Sequence, residues 1–152
     1  MSEYREIIEQ VFCEVFEQMA FMFGDPVDSE ELMTDADEFL VVKMDFHGDL
    51  HGEVEMVMEK DLCAEIASNV LGVDVDDEKA HELGTDAAKE MLNVICGQAL
   101  TEIAGSEPIF NLTVPEIKDV SARKWKKMVA DKDYVCFVLD DHPALCRLVL
   151  KS

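Results

Sequence analysis

Asp86, Glu90, Asn93, Gly97 and Thr101 follow one another in this chain at steps of four, three, four and four residues. That spacing sets side chains in one row along a helix of 3.6 residues per turn. The row offers recognition chemistry: Glu90 could hold a cation on an approaching surface, and Asn93 carries both a donor and an acceptor. Gly97, one turn beyond the amide, leaves bare backbone on which another protein could close. Asn and Gly are poor choices for an exposed helix interior, so something other than helix stability put them there. Against this stands the ordinary reading, in which a polar row is simply the solvated face of an amphipathic helix. Spacing alone favours that reading.

The element that must carry the row is a helix whose opposite side is apolar. Leu92, Ile95, Cys96, Ala99 and Ile103 recur at three- and four-residue steps and form its buried stripe. Thr85 is the expected cap, and Gly105 and Pro108 are expected to close the helix after Ala104.

The pattern Asp86-x3-Glu90-x2-Asn93, with Pro115 after twenty-one intervening residues, resembles the signature Asp/Ser-x3-Glu-x2-Asn-x21-Pro of the CheC/CheX family of chemotaxis phosphatases. All four positions match. Upstream, Gly48-x3-Gly52-x-Val54-x-Met56-x-Met58 and a short helix ending at Leu71-Gly72 are similar to the hairpin and helix that precede the family's catalytic helix. The resemblance implies removal of phosphate from the aspartyl-phosphate of a CheY-like receiver domain. It further implies that Glu90 docks on the receiver's active-site Lys and that Asn93 orients the attacking water. Asp86 at the rim of the contact, Gly97, and Pro115 behind the helix are assigned to docking and support. No intrinsic cofactor is expected, since the divalent cation, Mg, belongs to the receiver. One complete motif makes the chain closer to CheX than to two-site CheC proteins. A non-catalytic binding module on a response regulator or motility complex, and an inert homologue, are the alternatives.

Composition narrows the setting. A length of 152 residues with 49% hydrophobic content suits a single domain over 1–152. A formal charge of −21 argues against nucleic acid or an anionic membrane as partner, because both would be repelled. Five widely spaced cysteines without a Cys-x-x-Cys motif read as buried thiols in a reducing compartment. Without a signal-peptide pattern or a membrane-length apolar run, the expected location is cytoplasmic.

In chain order, Tyr4 to Phe23 reads as a helix with Phe12, Phe16, Met19, Ala20 and Phe23 on its core stripe, ended by Gly24-Asp25-Pro26. The acid-rich stretch 25–38 is expected to be a loop or short helix, and it lacks a calcium-loop pattern. Residues 39–46 and 52–58 are expected to form a hairpin with one buried side. His47 and His51 lie in its turn, and without a third ligand they read as ordinary turn residues rather than a metal site. Asp61 should cap a helix in which Leu62, Ile66, Val70 and Leu71 face inward, with Gly72 as its stop. Residues 110–115 are expected to be extended, with Pro115 at a strand edge or end. Lys124-Trp125-Lys126-Lys127, the one basic cluster of the chain, is expected to be a solvated strand or turn with Trp125 inward, with a docking patch as the alternative. Two last strands flank the turn Asp140-Asp141-His142-Pro143.

Strands paired by short turns, with helices interposed but not alternating, define an α+β class with a largely antiparallel sheet and helices packed on it. At an offset of eighty the stripe of the first helix coincides with that of the central helix, a weak internal repeat. The resemblance adds that two helix–strand units are related by a pseudo-twofold axis, and it implies a possible homodimer through the sheet.

Overall fold

The computed structural model describes residues 2–151. Its frame is a pair of hairpins. β2 (Glu38–His47) and β3 (His51–Glu59) pair antiparallel from Phe39↔Glu59 to Phe46↔Gly52. β6 (Val135–Leu139) and β7 (His142–Lys151) do the same around Asp140 and Asp141, whose φ values of 46° and 73° make the two-residue turn that matches strand twist. β3 and β7 then pair antiparallel and join the hairpins. Outside β6 lies β1 (Gly24–Val27), while β4 (Asn111–Leu112) and β5 (Glu116–Ser121) share the outer edge of β2. Every pairing in this seven-stranded sheet is antiparallel, and the α+β reading holds.

Three helices cover one face: α1 (Ser2–Ala20), α2 (Leu62–Leu71) and α3 (Ala80–Ala104). Alternation in the strands selects what meets them, so Val42, Met44, Val54 and Met56 enter one core with Phe12, Phe16, Leu92 and Ile95. Phe12 stacks on Phe137 with ring centroids 4.1 Å apart. α1 packs against α3, and α2 against the first turns of α3.

The sheet's other face is also covered, contrary to the expectation of one buried side. The stretch expected to be a lysine-rich strand or turn is a helix, α4 (Ala122–Ala130), whose cap Ser121 accepts the Lys124 N–H at 3.2 Å. Only two of its residues, Trp125 and Met128, are buried, too few for the pattern to stand out between basic neighbours. Trp125, 4% exposed, lies parallel to Phe39 at 4.4 Å and joins a second core with Val41, Val57 and Leu145.

Glu53, Glu55 and Glu59 point to that same face and are buried, which is tolerable only because each has partners. Glu53 meets Lys43 at 3.0 Å and Lys151 at 3.3 Å, and Glu55 meets Arg147 at 2.6 Å and accepts the Tyr134 hydroxyl. Glu59 accepts from Thr34 and lies 2.8 Å from His142 Nδ1, whose Nε2 is 2.9 Å from Glu65. His142 thus ties β7 to β3 and α2. Partial burial disfavours its charged form, but the hydrogen bond to Glu59 and the charge of Glu65 outweigh that and raise its pKa above the usual 6.5. A group whose pKa rises on folding stabilises fully below its unfolded value, and that contribution fades as pH climbs through the folded one. Unfolding midpoints in urea should therefore fall from about pH 6 to pH 8, and His142→Gln should flatten the slope; an equal slope in the variant would remove the clamp.

Several local boundaries differ from the sequence reading. α1 stops at Ala20, Gly24–Val27 is a strand rather than a mere terminator, and Phe23 is 66% exposed instead of lying in the core stripe. Asp61 makes no capping hydrogen bond, and Val70 and Leu71, in the last turn of α2, are exposed rather than facing inward; Gly72, at φ 72°, is the left-handed stop expected.

Candidate functional site

α3 begins at Ala80, where the Ala80 N–H reaches the Asp77 carbonyl at 2.9 Å. Thr85 is consequently not a cap but an interior residue that donates to the Glu82 carbonyl at 2.7 Å. At the far end the Gly105 N–H closes on the Thr101 carbonyl at 2.8 Å, as expected of a glycine stop. The helix shows the two faces its spacing predicts. Leu92, Ile95, Cys96 and Ala99 are buried and Asp86, Glu90 and Thr101 are exposed, with Asn93, Gly97 and Ile103 intermediate between them.

On this helix the side-chain hydrogen bonds among the described residues are those of Thr85 and Thr101, each to its own backbone. Thr101 donates to the Gly97 carbonyl at 2.9 Å, so its proton is already engaged. The Glu90 carboxylate and the Asn93 amide carry no such internal bond and remain available to an incoming surface. Beside them the surface is open: a Cβ placed on Gly97 would meet nothing within 4 Å.

Gly84, one helical stretch earlier, is the opposite case. A Cβ there would lie 1.8 Å from the Cys63 carbonyl oxygen, so glycine is what lets α2 and α3 approach. Sequence reasoning placed Gly84 before the helix and missed it; a glycine inside a helical pattern is itself a signal for close packing. The pair yields a contrast. Gly84→Ala should destabilise by about 1–3 kcal/mol or more through forced separation of the helices, while Gly97→Ala should stabilise by up to ~1 kcal/mol through helix propensity. Urea denaturation of both variants measures this, and a neutral Gly84→Ala would mean that the helices can part without cost.

Pro115 is half-buried immediately before β5, the edge strand paired with β2 and packed against α3. The missing N–H costs nothing at that position, ahead of the first ladder residue. Its half-buried place next to a strand that α3 touches suits the supporting role that the resemblance implies.

The five cysteines are free thiols, and burial pushes Cys63 and Cys96 up to about 12. Among the described residues no group of three or more His, Cys, Asp or Glu side chains is arranged to hold a metal ion, and no helix is long and apolar enough to cross a membrane.

An antiparallel sheet with a solvent-facing Asp-Glu-Asn row on its long central helix defines a class for which comparison is informative. The model of the chemotaxis phosphatase CheX family matches residues 40–139, and the chain belongs to that family. No curated protein gives a significant match. Among solved structures, the chain is similar to a chemotaxis protein CheX from Desulfovibrio desulfuricans, with TM-score 0.71, 16% identity, and coverage of 98% of this chain and 99% of that one. CheX from Vibrio vulnificus matches with TM-score 0.69, 17% identity, and coverage of 98% and 97%. A CheX–CheY–BeF3–Mg complex from Borrelia burgdorferi matches with TM-score 0.62, 17% identity, and 98% coverage of both chains. At such identities these likenesses establish the fold.

Proposed function

We propose that the α3 row docks on a phosphorylated CheY-like receiver domain and speeds hydrolysis of its aspartyl-phosphate. The observation that carries this is the Glu90–Asn93 pair, exposed and half-exposed, on the helix of a CheX-family chain. A relative of the same fold held in complex with a CheY supports the choice of partner.

The reaction asks little of the phosphatase. In phosphoryl transfer most of the catalysis is positioning and charge stabilisation, and the receiver brings the phosphoryl group and a bound Mg. The Asn93 amide oxygen accepts a hydrogen bond from the attacking water, and its NH2 group can donate toward the phosphoryl oxygens. Water's oxygen bonds to phosphorus, the bond from phosphorus to the aspartyl oxygen breaks with its electrons staying on the carboxylate, the water's protons stay with the phosphate oxygens, and inorganic phosphate leaves. Glu90 pairs with the receiver's active-site Lys, which fixes the orientation of the two proteins and with it the placement of Asn93. Asp86 extends the contact at its rim, and Pro115 shapes the strand entry beside the helix.

Phosphate release from several phosphorylated receiver domains, with and without the protein, tests the reading. Acceleration with at least one receiver is expected. Saturable binding with no acceleration would replace the enzyme with a docking module, and neither binding nor acceleration would leave the row as solvated surface. The homodimer that the family resemblance implies would use an open sheet edge, β1 or β4–β5, and sedimentation equilibrium measures it.

A further inference from the structure

α4 concentrates positive charge in a chain of 34 acids: Arg123, Lys124, Lys126 and Lys127 are four of its 13 basic residues, all exposed, and the helix contains no acid. Among the described residues none of the four lies within 4.0 Å of a carboxylate, although other cations of the molecule do pair. Beside α4 runs a groove of about 400 Å³, between the helix and the segment 32–36. The stacked rings of Trp125 and Phe39 contribute to its lining, Ala122 and Val129 line the α4 side, and Lys126 stands on that side too. Met33, 84% exposed, and Asp35 line the opposite wall.

We propose that this groove binds an acidic segment of another protein, with large apolar side chains seated toward Trp125 and acids turned to α4. Charge complementarity selects the occupant: Lys126 on one wall, backed by Arg123, Lys124 and Lys127 elsewhere on the same helix, and Asp35 on the other wall call for a ligand whose negative charge is one-sided. The apolar lining, with an exposed and adaptable methionine at its lip, takes side chains of varied shape, and the volume falls within the range of ligand clefts. A nine-residue helix is roughly 13 Å long at 1.5 Å per residue, the span of two or three turns of a bound helix. A nucleic acid or an anionic membrane would instead present uniform negative charge to a molecule of net charge −21, and be repelled outside this patch. The groove lies on the face of the sheet opposite α3, so it can be filled while α3 is engaged, and the inference is independent of the phosphatase reading.

Trp125 is the sole tryptophan, so the protein's own emission reports on the groove. The probe is a short helical peptide with glutamates along one face and leucines along the next. It should shift Trp125 emission saturably, and Arg123→Glu/Lys126→Glu should weaken it by on the order of tenfold or more. Both positions are exposed, so the fold should survive, as circular dichroism will report. Peptides with glutamine for glutamate, or serine for leucine, should each bind less well. Asn93→Ala should bind the peptide as wild type does. The proposal is overturned by no emission change up to about 1 mM peptide, by equal binding in the charge-reversed protein, or by stronger binding of single-stranded DNA or phosphatidylglycerol vesicles.

Discussion

Asn93→Ala is expected to bind a phosphorylated receiver with near wild-type affinity while losing on the order of 10²-fold or more of the stimulated dephosphorylation, because a reactant displaced by ~1 Å can cost that much. The fold should be indifferent to the change, since Asn93 is half-exposed and its amide is not used within the helix. Glu90→Ala should divide the effects the other way. It removes one partner of a charge pair that becomes desolvated only in the complex, and such truncations cost about 2–5 kcal/mol of affinity when the pair is buried. Excess protein should then recover part of the rate. Single-turnover phosphate release and binding titrations on one cognate receiver distinguish them: full activity in Asn93→Ala sinks the catalytic role, and unchanged affinity in Glu90→Ala sinks the docking role.

The second large effect is on stability and lies on the far face of the sheet. Arg147 is 2.6 Å from Glu55, and its guanidinium sits over the Tyr134 ring at 4.7 Å. Glu55 is 5% exposed. Arg147→Ala strands that carboxylate without its cation, a change that costs about 3–5 kcal/mol when the remaining charge stays buried. Tyr134 would still donate its hydroxyl to Glu55, but a neutral donor does not offset a buried charge. Exchanging Arg147→Met together with Glu55→Leu and Tyr134→Phe should recover most of the loss, because the attraction and desolvation of the pair are removed together, and Glu53, which Arg147 also approaches at 3.6 Å, keeps Lys43 and Lys151. Urea denaturation of the single and triple variants measures both. A single variant within ~1 kcal/mol of wild type would place the pair among weakly contributing surface salt bridges.

What the sequence made legible differs from element to element for physical reasons. α3 could be read because its signal is local and long: a buried stripe and a polar row repeat over many turns of one segment. The β2–β3 and β6–β7 hairpins could be read because their turns carry Gly or Asp at the required positions. The second face of β3 could not, since Glu53, Glu55 and Glu59 look solvated until Lys43, Arg147, Lys151 and His142 arrive from other strands. α4 was obscured for a related reason: two buried residues in nine give a weak apolar stripe, and the lysines around Trp125 read equally well as a turn.

By itself the sequence determined the helix that bears the proposed site, the placing of Asp86, Glu90, Asn93 and Gly97 on one side of it, and the α+β class, because each depends on short-range periodicity. Only the tertiary structure decided how the halves combine. β1, which follows α1, pairs with the second hairpin, while β4 and β5, which follow α3, pair with the first. The β3–β7 pair thereby lies at the middle of the sheet, with β1 beyond one hairpin, β4 and β5 beyond the other, and these outer strands exchanged between halves. No local pattern encodes that exchange, since a strand's alternation fixes which face it buries but leaves open which distant strand completes its hydrogen bonds. Tertiary packing also brings Gly84 against Cys63 and sets α3 against β2 and β5.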